Sequence, residues 1–204
     1  MMSDEKAPLG SSPLVTGHSS LVTPAKRILI AGIGNIFFGD DAFGCEVAQE
    51  LMRQPLPEGV MAFDYGIRSY DLAYAMLEPN DAVILVDATP RGEEPGTIFL
   101  LDLDINKLDN PGIGSVNLHA MNPVAVLQLV RSFGGSPRAL YLVGCEPAVL
   151  ESEELGLSEK VKAAVPRALE MIRELLERLL HETENTHQDG AGLAARTEGS
   201  RPTG

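Results

Sequence analysis

Four carboxylates follow apolar runs in this 204-residue chain: Asp40 and Asp41 in "GNIFFGDDAFG", Asp64 in "VMAFDYG" and Asp87 in "AVILVDAT". If the runs are parallel strands, their carboxyl ends share one rim, where ligands bind in open α/β sheets. Four acids gathered in a partly buried cleft repel one another unless a cation or a proton settles them. Asp41, Asp87 and a histidine would form a mixed oxygen and nitrogen set suited to a borderline cation such as Ni²⁺ or Zn²⁺. Of the four histidines, His18 stands in a polar N-terminal stretch, and His181 and His187 stand at or beyond the end of the last helical pattern. His119, in "SVNLHAMN" just ahead of a helix start at Asn122, is the one placed to reach the rim. The positive end of a helix dipole disfavours imidazolium there and keeps the ring able to ligate. Plainer uses exist for each residue. Asp40 or Asp41 can cap the following helix, and Asp64 and Asp87 can close turns. His119 can hold a backbone partner, and Cys45 and Cys145 read best as small core residues.

The elements that must position these groups alternate between strand and helix. Apolar runs at 27–33, 60–66, 82–89, 96–103 and 139–147 read as strands. Helical patterns occupy 41–54 (Phe43, Val47 and Leu51 on one face), 69–77 with Ser69 as cap, 122–135, and 158–184. Pro166 inside the last pattern predicts a kink or a late start. The fold class is therefore α/β: a three-layer sandwich with a mostly parallel, twisted sheet of about five strands and helices on both faces. The strand at 96–103 follows Asp87 with no helical pattern between, which predicts an antiparallel or edge position. Ser, Pro, Gly and Thr dominate residues 1–25, and the end from 185 to 204 is similar, so both are expected as flexible arms flanking a single domain at 26–184.

Bulk properties exclude several classes. A net charge of −13 with no Lys/Arg-rich stretch disfavours nucleic acid and anionic membrane surfaces as partners. Two cysteines outside any CxxC pair, and no secretory or membrane-spanning pattern, point to the cytoplasm. Gly32 and Gly34 begin a dinucleotide fingerprint, but Phe37 holds the third glycine position and carboxylates at that turn would repel a pyrophosphate, so no nucleotide cofactor is expected. HExxH is absent, and no Ser-His-Asp or Cys-His arrangement is legible.

"GIGNIFFGDDAFG" resembles the signature of the hydrogenase maturation endopeptidases, and "VDATPRGEEPGTIFLLD", "NLHAMNPVAVLQLVRSFGGSP" and "LYLVGCEP" resemble that family's later blocks in order and spacing. The resemblance covers residues 26 to 180. It implies removal of a C-terminal extension from a [NiFe] hydrogenase large-subunit precursor after nickel insertion. It also implies that Asp41, Asp87 and His119 engage nickel carried by that substrate. Asp64 falls on a position that is usually acidic in the family, and Tyr65 replaces a more frequent glycine. Peptide hydrolysis needs a base for water, and Asp40, Asp41 and Asp64 are the candidates, acting in aspartic style or beside the metal. Two other classes fit the same residues: a peptidase or amidase with its own metal, and a non-catalytic α/β module for a small ligand.

Overall fold

The computed structural model describes residues 25–104, 123–150 and 155–186. Among the described residues, five strands and four α-helices follow one another: β1 (Ile28–Ile33), α1 (Phe43–Met52), β2 (Val60–Gly66), α2 (Ser69–Leu77), β3 (Ala82–Ala88), β4 (Ile98–Asp102), α3 (Pro123–Ser132), β5 (Leu140–Cys145) and α4 (Glu159–Thr186). They form one sheet in the order β2-β1-β3-β5-β4. All neighbours pair in parallel except β4, which runs antiparallel to β5 at an edge, as its sequence position predicts.

β1 and β3 are buried at every position and apolar except at Asp87, because helices cover both faces of the central sheet. Ile28 and Ile30 of β1 pack with Phe43, Val47 and Leu51 of α1 and with Val161, Ile172 and Leu176 of α4. Leu29, Ala31 and Ile33 point the other way, toward Leu72 and Met76 of α2 and Val126 and Leu127 of α3. The period-two alternation of β1 thus divides the core into two layers.

Several local expectations are corrected. Arg68, not Ser69, holds the N-cap position of α2, and it makes no side-chain capping bond. Neither Asp40 nor Asp41 caps α1: both lie in a short 3-10 turn, Gly39–Ala42, and the N-cap residue is Ala42. Helix α4 begins at Glu159, ahead of Pro166, so the proline does not delay its start. Pro166 sits on the exposed side, where water can bond the carbonyl it leaves without a donor. Asn122 and His119 lie outside the described residues.

Candidate active site

The chain leaves β1 toward β2 on one side, and β3 lies on the other, so the topological switch falls between β1 and β3. Two glycines bring the first helix onto that switch. A Cβ on Gly44 would stand 2.1 Å from the Val86 carbonyl oxygen and 2.3 Å from that of Ile33, so only glycine lets α1 begin against the ends of both strands. Gly34 has φ +134°, and a Cβ there would meet the Asp41 carbonyl oxygen at 1.7 Å. The turn therefore folds tightly back on itself and delivers Asp41 beside the end of β3.

Asp41 is buried, and its Oδ2 accepts the Asn35 amide at 2.8 Å. Asp87 is buried at the end of β3, paired in register with Gly144 of β5. Burial pushes the Asp87 carboxyl well above the ordinary carboxylate range, and the Asp41 charge pushes it further. The Ala88 amide and the Thr89 hydroxyl oppose this only in part. That hydroxyl is itself fully buried and makes no hydrogen bond of normal geometry among the described residues. Two acids here resist being charged together, which is the condition a bound cation relieves.

Cys45 locates the third acid. Its thiol donates to the Gly34 carbonyl oxygen at 3.5 Å. Burial raises its pKa first; Asp64 comes next, followed by Asp41 and Asp87. One buried sulfur therefore feels all three carboxylates, and it remains a thiol, not a nucleophilic thiolate. Asp64, half-buried on β2, accepts the Gln49 Nε2 at 2.9 Å through Oδ2, and the Arg68 guanidinium donates to its backbone carbonyl. Asp64 and Cys45 border an open cavity of about 260 Å³ with Gly34, Asn35, Phe37 and Arg68 also on its wall. Tyr65 is buried, edge-on to Phe63 with ring centroids 6.1 Å apart, and it adds an aromatic wall on this side.

Asp40 points elsewhere. Its Oδ2 accepts the amides of Ala148 and Val149 at 2.7 and 3.0 Å and the Ser158 hydroxyl at 3.0 Å, and its Oδ1 accepts the Ser158 amide at 2.7 Å. Its own amide bonds the Val149 carbonyl. The residue pins the segment after β5 and the start of α4 to the 3-10 turn. Its field falls on Cys145, whose thiol burial pushes up to about 12 with help from Asp40 and Glu146.

The site expectations thus divide. Asp41, Asp64 and Asp87 converge, Asp40 turns away, and His119 lies outside the described residues. Among the described residues no group of three or more His, Cys, Asp or Glu side chains is arranged to hold a metal ion. Sequence reasoning missed Gln49, Arg68 and Glu146. Gln49 carried a signal, since it stands one helical turn after Cys45 and so faces the same side. Glu146 is buried and accepts the Arg91 and Gly92 amides at 2.6 and 3.2 Å, closing the loop ahead of β4.

Comparison with known proteins gives a consistent result. The family model described as "HycI: Hydrogenase maturation protease" matches residues 45–175. The Hydrogenase 2 maturation protease of Escherichia coli K12 is 33% identical over 149 residues, covering 72% of this chain and 88% of that protein. Among solved structures, the hydrogenase maturating endopeptidase HybD of Escherichia coli superposes with a TM-score of 0.63 at 31% identity, covering 74% of this chain and 93% of that one. The [NiFe] hydrogenase maturation protease HycI of Thermococcus kodakarensis does so with a TM-score of 0.57 at 31% identity, over 74% and 93%.

Proposed function

The chain belongs to the hydrogenase maturation protease family, and from that premise we propose that it cleaves the C-terminal extension from a nickel-loaded [NiFe] hydrogenase large-subunit precursor. The observation that carries the reading is the buried Asp41–Asp87 pair, whose mutual repulsion and burial raise the Asp87 carboxyl. Nickel belongs to the substrate in this account. Asp41 and Asp87 offer hard oxygen donors to it, and His119 adds an imidazole nitrogen. Docking of a nickel-loaded precursor relieves the repulsion between the acids. A nickel-free precursor offers no such relief, and the site thereby reads whether insertion has occurred.

Asp64 is the general base of the proposal. One of its oxygens is held by Gln49, and it borders the open cavity in which a water and a scissile peptide can meet. A proton of the water passes to an Asp64 oxygen as its oxygen bonds the scissile carbonyl carbon, and Asp64 returns that proton to the leaving amine as the C–N bond breaks. Asp40 is assigned to structure, because four donors already occupy its carboxylate. Cys45 stays protonated and supplies packing.

The test is incubation with nickel-loaded and nickel-free precursor, read as the mobility shift of the large subunit. Wild type should convert only the loaded form, and Asp41→Ala, Asp87→Ala and His119→Ala should each abolish conversion while remaining folded. Normal processing by all three variants would refute the site, and conversion of neither form by wild type would refute the function.

A further inference from the structure

Strand β2 forms one edge of the sheet, and its only strand neighbour among the described residues is β1. The Ile28 amide bonds the Gly59 carbonyl oxygen at 3.0 Å, and Ile28 pairs with Val60 in the parallel register. Parallel alternation then turns the backbone groups of Gly59, Met61 and Phe63 toward β1 and those of Val60, Ala62 and Asp64 away from it. The Val60 amide is spent on Pro57, and the Asp64 carbonyl receives Arg68. The Val60 carbonyl, both Ala62 groups and the Asp64 amide point away from β1 along the edge, with Val60 and Ala62 each 7% exposed overall.

An edge strand normally carries Lys, Pro or another device that discourages pairing. "VMAFDYG" holds no Lys, Arg or Pro, and its one charged residue and its register shift, Asp64 and the step between Asp64 and Gly66, fall only at its end, beside the candidate site. The edge is also lined by apolar surface where it meets the candidate site: Phe63 is 44% exposed, Ile67 58% and Phe37 63%, and Phe37 and Ile67 border the Asp64 cavity. Exposed Arg68 stands at the end of the strand, a cation within an acidic protein. The outward backbone groups run directly into the carboxylates that the proposed reaction needs.

We propose that the substrate's C-terminal segment binds in extended form as an added strand on the free edge of β2, delivering its scissile bond to Asp64. This rests on the processing activity proposed above. Main-chain hydrogen bonds to Val60, Ala62 and Asp64 supply sequence-tolerant affinity, and the apolar wall of Phe63, Ile67 and Phe37 receives alternate side chains. The occupant is the substrate, not a second copy of this chain, because the edge is continuous with the cavity holding Asp64, where a peptide has chemistry to meet.

The test uses the full chain and nickel-loaded precursor. Ala62→Pro removes an outward amide and blocks strand addition while sparing the ladder to β1, a placement that edge strands tolerate. It should lower kcat/KM about ten-fold or more through a raised KM. Hydrogen exchange on wild type gives a second readout that survives any folding defect of the variant: the Ala62 and Asp64 amides should gain protection when nickel-loaded precursor is added. Wild-type processing with an unchanged KM in Ala62→Pro and no added protection would overturn the edge proposal and leave the processing activity standing. Protection that rises with protein concentration alone would assign the edge to self-association. Failure of wild type to process the precursor would overturn both.

Discussion

Asp40 and Asp41 are neighbours in sequence and both are buried, yet their surroundings are opposite. Asp40 accepts three backbone amides and a hydroxyl, as a carboxylate must if its charge is to survive away from water. Glu146 follows the same pattern with two amides. Asp41 shares its mouth with Asp87, which burial and the Asp41 charge push toward the protonated form. One pair of acids consumes its charge in holding loops, and the other keeps its charge in conflict. Groups whose repulsion at a strand-end crevice is only partly relieved are candidates for chemistry, whereas saturated ones are candidates for stability.

Substitutions can break that contrast. The largest expected effect is on processing: Asp41→Ala and Asp87→Ala should each lower conversion of nickel-loaded precursor by about a thousand-fold, roughly 4 kcal/mol, with the denaturant midpoint unchanged or higher. Next comes Asp40→Ala, which strands the Ala148, Val149 and Ser158 amides and should lower unfolding free energy by about 3 kcal/mol or more, measured by urea denaturation. Glu146→Gln keeps the shape but loses charge-assisted acceptance from Arg91 and Gly92. It should cost about 1 kcal/mol, near 2–4 °C in Tm, with processing retained.

The smallest effect sharpens the comparison through pH. The native state holds the Asp87 proton more tightly than the unfolded chain, because the folded pKa is raised. Raising pH from the ordinary carboxylate value through the folded value therefore removes stability. Asp87→Asn should have a higher Tm than wild type at neutral pH, and the gap should close as pH falls below the ordinary carboxylate value. Asp40→Asn should instead be less stable than wild type at neutral pH, since its amide cannot replace four accepted hydrogen bonds.

Much of this was legible in the sequence. Parallel strands ending in aspartate put Asp64 and Asp87 on one rim, and the lack of a helical pattern after Asp87 foretold the antiparallel edge strand. The glycines of "GIGNIFFGDDAFG" implied a sharp turn that carries an acid back toward the strand ends, and Gly34 makes it. The different roles of Asp40 and Asp41 were not legible. Asp40's partners lie 108 to 118 residues further along the chain, and no local pattern reveals a long-range acceptor. Arg68 was missed for a related reason: an arginine between a strand and a helix reads as a solvated surface residue until the strand is known to be an edge. Ser69 was expected to cap α2 because serine favours that position, but the turn bonding of Arg68 to Tyr65 starts the helix without a side-chain cap.

The central claim is that Asp41 and Asp87 grip a metal carried by another protein. Affinity for nickel-loaded against nickel-free precursor, measured for wild type and for an Asp41→Ala/Asp87→Ala double variant, addresses it most directly. The account predicts that wild type binds the loaded precursor far more tightly and that the double variant binds both forms equally weakly. A double variant that still prefers the loaded precursor would contradict it.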